Sequence, residues 1–146
     1  MPQVFTTTKR VEFRDTDAAG IMHFSAYFTY MEEAEHELLR SLGTSVVFDA
    51  GGDTVSWPRV AANAEYRGPV RFEDEMTLEL RIKRLGSRSV TYHHTFLLGD
   101  QKIATGEITA VCCRIERGEK PTSREIPEGL RQQLESLVDL TLSDNS

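Results

Sequence analysis

Apolar and polar residues alternate along Thr6–Arg14, with Val11 and Phe13 set against Arg10, Glu12 and Arg14, and this predicts a first strand. The period then lengthens. Tyr27, Met31, Ala34, Leu38 and Leu42 recur at helical spacing, while Glu32, Glu33, Glu37 and Arg40 lie mainly off that stripe. They predict an amphipathic helix over Ala26–Leu42, with Ser25 as its N-cap and Gly43 as its stop. Asp49-Ala50-Gly51-Gly52-Asp53 reads as a loop. From Trp57 the period returns to two, and Val60, Ala62, Ala64 and Tyr66 share a face. After a break at Gly68-Pro69, the spacing predicts a strand over Met76–Leu85 with Met76, Leu78, Leu80 and Ile82 inward. A further strand follows over Ser89–Leu98 and a long last one over Lys102–Arg117, curved at Gly106. Gly86-Ser87 and Gly99-Asp100 are the hairpin turns. Pro127 opens a terminal helix of about 127–142 on which Leu130, Leu134, Leu137 and Val138 share a face, and 143–146 is expected to fray.

One strand, one long helix and then consecutive antiparallel strands make an α+β layer architecture. The strands after the helix follow one another too closely for βαβ crossovers, which disfavours a doubly wound sheet. The sheet has more apolar face than one helix alone needs, so it is expected to wrap the helix. The 146 residues, 39% of them hydrophobic, suit one domain with one core. A formal net charge of −6 argues against general nucleic-acid affinity. No apolar run approaches the roughly 20 residues of a membrane span, and no signal-peptide core follows Met1. Cys112 and Cys113 are neighbours on a strand, so their side chains point to opposite faces and a disulfide between them is not expected. Reduced thiols fit a cytoplasmic location.

The chemistry concentrates where the first strand ends, at Asp15-Thr16-Asp17-Ala18-Ala19-Gly20. An aspartate, Asp17, stands beside a turn centred on Gly20 that leads into a helix N-terminus, where backbone N–H groups are unpaired and carry partial positive charge. A carboxylate beside such a donor suits attack on an activated carbonyl. A calcium loop starting at Asp15 would place Gly20 correctly, but its fifth and twelfth positions are Ala19 and Ala26, which cannot serve as its side-chain ligands. An Asp-based phosphatase would need a parallel sheet and a longer chain. His36, His93 and His94 show no ligand spacing, so no metal is expected, and with no nucleotide motif in the chain no organic cofactor is expected either.

The run Asp15-Thr16-Asp17-Ala18-Ala19-Gly20-Ile21-Met22-His23-Phe24-Ser25-Ala26-Tyr27 resembles the motif of the hotdog-fold acyl-CoA thioesterases, in their 4-hydroxybenzoyl-CoA thioesterase-like branch. Arg67-Gly68-Pro69-Val70-Arg71-Phe72-Glu73-Asp74-Glu75-Met76 resembles that family's entry into its third strand, and Gly99-Asp100 through Ala104-Thr105-Gly106 also matches. The likeness covers roughly residues 8–116. It implies a hotdog fold over 1–146, in which a long central helix is wrapped by a five- to six-stranded antiparallel sheet. It also implies dimerisation through edge strands, with active sites at the dimer interface. Dimers commonly pair again in this family, so a homotetramer is expected. The Lys102–Arg117 and Ser89–Leu98 strands are the candidates for the edge that pairs.

By the same resemblance Asp17 is the nucleophile or the general base on water, and backbone N–H groups at His23 and Phe24 hold the thioester oxygen. Gly20, Tyr27, Glu32 and Asn63 are implied near the substrate. Arg84 and Arg88, flanking the Gly86-Ser87 turn, are candidates for the phosphates of CoA. Enzymes of the family acting on aromatic substrates carry a large aromatic where this chain has His23. The branch associated with the bacterial Tol-Pal operon has Tyr there and His one residue later, so His23 here is displaced by one. The implied activity is hydrolysis of an acyl-CoA or acyl-carrier-protein thioester. The alternative is a non-catalytic hotdog module that binds such thioesters, and Asp17 argues against it, because binding a thioester gains nothing from a carboxylate beside its carbonyl.

Overall fold

The computed structural model describes residues 2–142. Its main layer is a five-stranded antiparallel sheet in the order β1-β5-β6-β7-β4. The strands are β1 (Phe5–Arg10), β4 (Arg59–Tyr66), β5 (Glu75–Leu85), β6 (Ser89–Leu98) and β7 (Gln101–Val111). The long helix α1 (Ala26–Ser41) packs on one face. A smaller sheet has the order β2-β3-β8-β9, from β2 (Phe48–Ala50), β3 (Asp53–Ser56), β8 (Cys113–Arg114) and β9 (Thr122–Ser123), and a short helix α2 (Glu128–Glu135) closes one end.

The core follows from two periodicities. Met76, Leu78, Leu80 and Ile82 of β5 are buried every second residue and meet Tyr27, Met31, Ala34 and Leu38 of α1, buried every third or fourth. Leu42 is only half-buried at the helix C-cap, and Gly43 follows in the left-handed region at φ +86. Gly106 of β7 lets helix and sheet approach closely. A Cβ there would lie 2.5 Å from Met31 Sδ and 3.0 Å from the Asn63 carbonyl oxygen.

Several boundaries differ from the sequence-based expectation. The first strand stops at Arg10, because Val11 exchanges backbone hydrogen bonds with Glu73 and Asp74. The chain then coils into a 3-10 turn over Phe13–Asp15. Val11 is therefore buried, while Phe13 stands exposed with its ring edge-on to Phe72. The long last strand divides at Cys112, whose N–H donates to Arg88 and whose carbonyl accepts from Arg124, and β8 continues in the other sheet. Asp49–Asp53 is a hairpin between β2 and β3 rather than a free loop, with Gly51 and Gly52 both at positive φ. The terminal helix ends at Glu135. The chain beyond it extends along β5, where Ile82 and residues 137 and 139 exchange backbone hydrogen bonds. This covers the stretch of β5 that β1 leaves free beyond Leu80. The frayed tail expected at 143–146 lies outside the described residues.

The most consequential correction concerns the edges. β6 and β7 are interior strands, each paired on both sides. The edges are β1 and β4, and Val60, Ala61, Ala62 and Asn63 of β4 are all exposed. Cys112 and Cys113 are free thiols, both buried.

Candidate active site

Asp17 builds the turn it sits in. Its N–H donates to the Ile21 carbonyl at 2.9 Å, its own carbonyl accepts from Gly20 N–H at 2.9 Å, and its Oδ1 accepts from Ala19 N–H at 2.8 Å. Such a turn needs a residue at positive φ, and Gly20 supplies it at +79. The two arms of the loop are tied by His23 N–H donating to the Asp15 carbonyl at 2.7 Å. Met22 N–H docks the loop onto the Val70 carbonyl at 2.8 Å. With Oδ1 occupied by the turn, Asp17 Oδ2 has no partner among the described residues.

The two aspartates of the motif have different surroundings. Asp15 Oδ2 accepts from the buried Tyr30 hydroxyl at 2.7 Å. Burial first, then this hydrogen bond, pushes the Tyr30 phenol up to about 12. Asp17 instead lines a pocket of about 440 Å³ whose other walls are Ile21, Met22, Phe24, Tyr27, Tyr66, Gly68 and Pro69. The pocket is mostly apolar, which strengthens the field of a carboxylate within it.

The start of α1 supplies a donor. Ser25 occupies the N-cap position but makes no side-chain cap bond. Its hydroxyl meets His23 Nδ1 at 2.8 Å, and its N–H donates to the same nitrogen at 3.2 Å. His23 Nδ1 is therefore an acceptor. The His23 ring stacks on Phe24 at 4.5 Å and does not line the pocket. Tyr66 O–H donates to the Phe24 carbonyl at 2.8 Å, which orients that peptide. The N–H of Phe24 has no acceptor among the described residues, whereas the N–H of His23 is committed to Asp15. Tyr27 packs edge-on between Tyr66 and Phe96, at 4.9 and 5.2 Å, and burial raises its phenol above the usual value.

Asp17, Gly20, Phe24 and Tyr27 thus converge within one chain, and the other expected site residues lie elsewhere. Glu32 is exposed on α1, in grooves further along the seam with β4. Asn63 pairs with Glu107 and lines a polar recess with Lys83, His93 and Lys102. That recess is on the sheet face opposite α1, because Ala62 and Ala64 take the helix side. Arg84 is nine residues along β5 from Glu75, roughly 30 Å at about 3.3 Å per residue. Arg88 donates to the carbonyl and hydroxyl of Ser123.

Sequence reading missed Tyr66 and Tyr30 as parts of the site. Tyr30 lies three residues after Tyr27 on the same helical face, a signal present in the pattern. Glu35 was missed for the opposite reason. It falls between Met31 and Leu39 on the apolar face, where a charged residue is not expected, and it is 1% exposed.

The profile of the thioesterase-like superfamily matches residues 11–134. A 1,4-dihydroxy-2-naphthoyl-CoA hydrolase of Synechococcus sp. (strain WH7803) is 34% identical over 136 residues, covering 88% of this chain and 87% of that protein. A protein of the same name from Prochlorococcus marinus (strain MIT 9313) is 31% identical over 133 residues, with 86% of each covered. Among solved structures, a gentisyl-coenzyme A thioesterase superposes with a TM-score of 0.76 at 27% identity, covering 88% of this chain and 98% of that one. The match across the motif, the helix and the sheet leaves one assignment: the chain belongs to the thioesterase-like superfamily and is a hotdog-fold thioesterase.

Proposed function

We propose that this enzyme hydrolyses aryl-CoA thioesters, with 1,4-dihydroxy-2-naphthoyl-CoA the first substrate to test, using Asp17 as nucleophile or general base. The observation that carries the reading is one juxtaposition. Asp17 and Phe24 line one largely apolar pocket, and among the described residues neither Asp17 Oδ2 nor the Phe24 N–H has a hydrogen-bond partner. The thioester oxygen is held by Phe24 N–H, which favours the charge that develops as the carbonyl is attacked. If Asp17 is the nucleophile, its oxygen adds to the carbonyl carbon, the C–S bond breaks to release CoA thiolate, and water then opens the mixed anhydride. If it is the base, it takes a proton from water as the water oxygen adds, and the C–S bond breaks in the same way. A thiolate is a good leaving group, so one carboxylate and one donor suffice without a triad.

Aryl substrates are preferred because the relatives' names specify a dihydroxynaphthoyl or a gentisyl group. The Tyr27, Tyr66 and Phe24 rings give such a group an aromatic wall. The exposed β4 edge supports a homodimer formed by pairing with a second copy, and a tetramer of two such dimers follows the family habit. Arg84 and Arg88 reach CoA only if a second copy brings them to it. Two free thiols, with burial pushing Cys112 up to about 11, fit a cytoplasmic setting.

The test is thiol release from purified enzyme against 1,4-dihydroxy-2-naphthoyl-CoA, benzoyl-CoA, hydroxybenzoyl-CoAs, short- and long-chain acyl-CoAs and a carrier-protein thioester. Turnover highest on the aryl-CoAs is expected. Preference for an aliphatic or carrier-protein thioester would replace the substrate assignment, and binding without turnover would favour the non-catalytic module.

A further inference from the structure

Along the seam between α1 and β4 the Asp17 pocket is followed by two more recesses. One of about 230 Å³ is lined by Phe28, Thr29, Glu32, Arg59, Ala62 and Ile108. The next, of about 430 Å³, has walls that include Val46, Trp57 and Ile115. Glu32 and Arg59 line both.

Arg59 is held from below. Its Nη1 lies 2.6 Å from Glu35 Oε1, in ion-pair contact without the alignment of a hydrogen bond. Glu35 Oε2 meets His94 Nε2 at 2.8 Å, and the two side chains are 1% and 0% exposed. With Glu35 facing the Arg59 cation as a carboxylate, His94 Nε2–H is the donor. Burying such a group gives little net stability, since well-packed apolar residues of the same volume usually do as well or better. What the arrangement achieves is position. One Nη1 is fixed on Glu35, while the Arg59 side chain, 26% exposed, opens to both recesses.

Within one chain Arg59 is seven residues along β4 from Tyr66, roughly 23 Å at about 3.3 Å per residue. That is beyond the reach of an aryl group whose carbonyl sits at Asp17. The edge itself suggests how the gap closes. Natural edge strands are blunted by charge, proline or bulges, yet Val60-Ala61-Ala62-Asn63-Ala64 carries no charge and no proline, and its one register shift falls at its Arg59 end. A second copy of this chain pairing antiparallel with Asn63 opposite its own Asn63 would, across that register shift, set the partner's Arg59 opposite Tyr66 on the same face of the sheet. The Cα atoms of such a pair are about 5 Å apart.

Resting on the proposed function, we propose that Arg59 is a specificity-determining residue supplied by the partner copy to the acyl end of the Asp17 site. There the guanidinium N–H groups not turned to Glu35 take a hydroxyl or phenolate oxygen of the aryl group, with Glu35 and His94 as positioning residues.

The test compares kcat/KM on benzoyl-CoA and on the hydroxylated aryl-CoA the wild type handles best. Arg59→Met is made together with Glu35→Gln, so that no unpaired buried carboxylate remains. The double variant should lose about 10–100-fold on the hydroxylated thioester, the worth of one hydrogen bond to a charged group, and under about threefold on benzoyl-CoA. Arg59→Lys keeps the cation on Glu35 and should show the same selectivity loss in weaker form, and it carries the comparison if the double variant does not fold. Co-expression of Asp17→Asn chains with double-variant chains should restore roughly a quarter of wild-type activity on the hydroxylated substrate. Random pairing makes half the dimers mixed, and each regains one of two sites. Equal losses on both substrates, no loss, or no recovery in mixed dimers would overturn the inference while leaving the proposed function standing. A wild-type enzyme that turns over no thioester removes both.

Discussion

The Tyr30 hydroxyl donates to Asp15 at 2.7 Å, and this bond separates the roles of two aspartates only two residues apart. Tyr30 also reaches the Arg10 carbonyl and accepts from Glu12 N–H, each at 3.3 Å, so it ties the end of β1 to the helix beneath it. Asp15 is thereby a structural carboxylate, and Asp17 is left facing the pocket.

Tyr30→Phe should destabilise the fold by about 1–2 kcal/mol, read as a lower urea midpoint at unchanged m. The alkaline limb gives a second signature. The Tyr30 phenol is raised from 10.0 to about 12 in the fold, so its contribution is complete below pH 10 and lost as pH rises through 12. The unfolded chain has lost that proton over this window while the folded chain retains it, so stability falls with rising pH. The fall between pH 10 and 12 should be shallower in Tyr30→Phe than in the wild type, and parallel curves would refute the account.

Asp17→Asn should fold normally, since the amide oxygen can still accept from Ala19 N–H and preserve the turn. Turnover in the thiol-release assay should drop about 10²–10⁴-fold. Near-wild-type rates in verified, correctly assembled protein would exclude Asp17 as the reacting group.

Tyr66→Phe removes the hydrogen bond that orients the Phe24 peptide and leaves the aromatic wall in place. The expected result is about a tenfold fall in kcat with KM little changed. His23→Phe should cost less, because that ring lies outside the pocket. The reverse ranking would give the His23 imidazole, rather than the orientation of the Phe24 peptide, the larger part in turnover.

Gly106→Ala places a methyl group against Met31 and the Asn63 carbonyl, where a Cβ has 2.5 and 3.0 Å of room. The Met31 side chain can swing aside, but the β4 backbone cannot do so freely. A loss of about 1–3 kcal/mol is expected from overpacking, measurable by thermal or urea unfolding.

Sedimentation at micromolar concentration should show a dimer or tetramer, and Ala62→Glu should reduce assembly and activity together, because like charges would lie diagonally across a paired β4 edge on one face of the sheet. A fully active monomer would place the site within one chain.

Much of the fold was legible in the order of residues because its signals are local. The β5 alternation, the α1 stripe, the Gly86-Ser87 and Gly99-Asp100 turns and the Asp15–Tyr27 run each depend on neighbours within a few positions, so period and turn chemistry alone specify them. That is also why Asp17 and Gly20 could be placed together, since a tight turn leading into a helix joins them without help from the rest of the chain; Tyr27 joined them only through the resemblance to the thioesterase motif. Partner choice between distant segments is not local. Thr6–Arg14 and Lys102–Arg117 both read as unbroken strands, yet Val11 turns to Asp74 and Cys112 turns to Arg88 and Arg124. The tertiary structure likewise decided that β4 is an edge, that Asn63 faces away from α1, and that Tyr66 reaches the Phe24 carbonyl across 42 positions. Glu35 shows the limit most sharply. On the helical wheel it is a charged residue in an apolar stripe, and only the approach of Arg59 and His94, from strands that lie far off along the chain, gives its carboxylate the partners that let it stay buried.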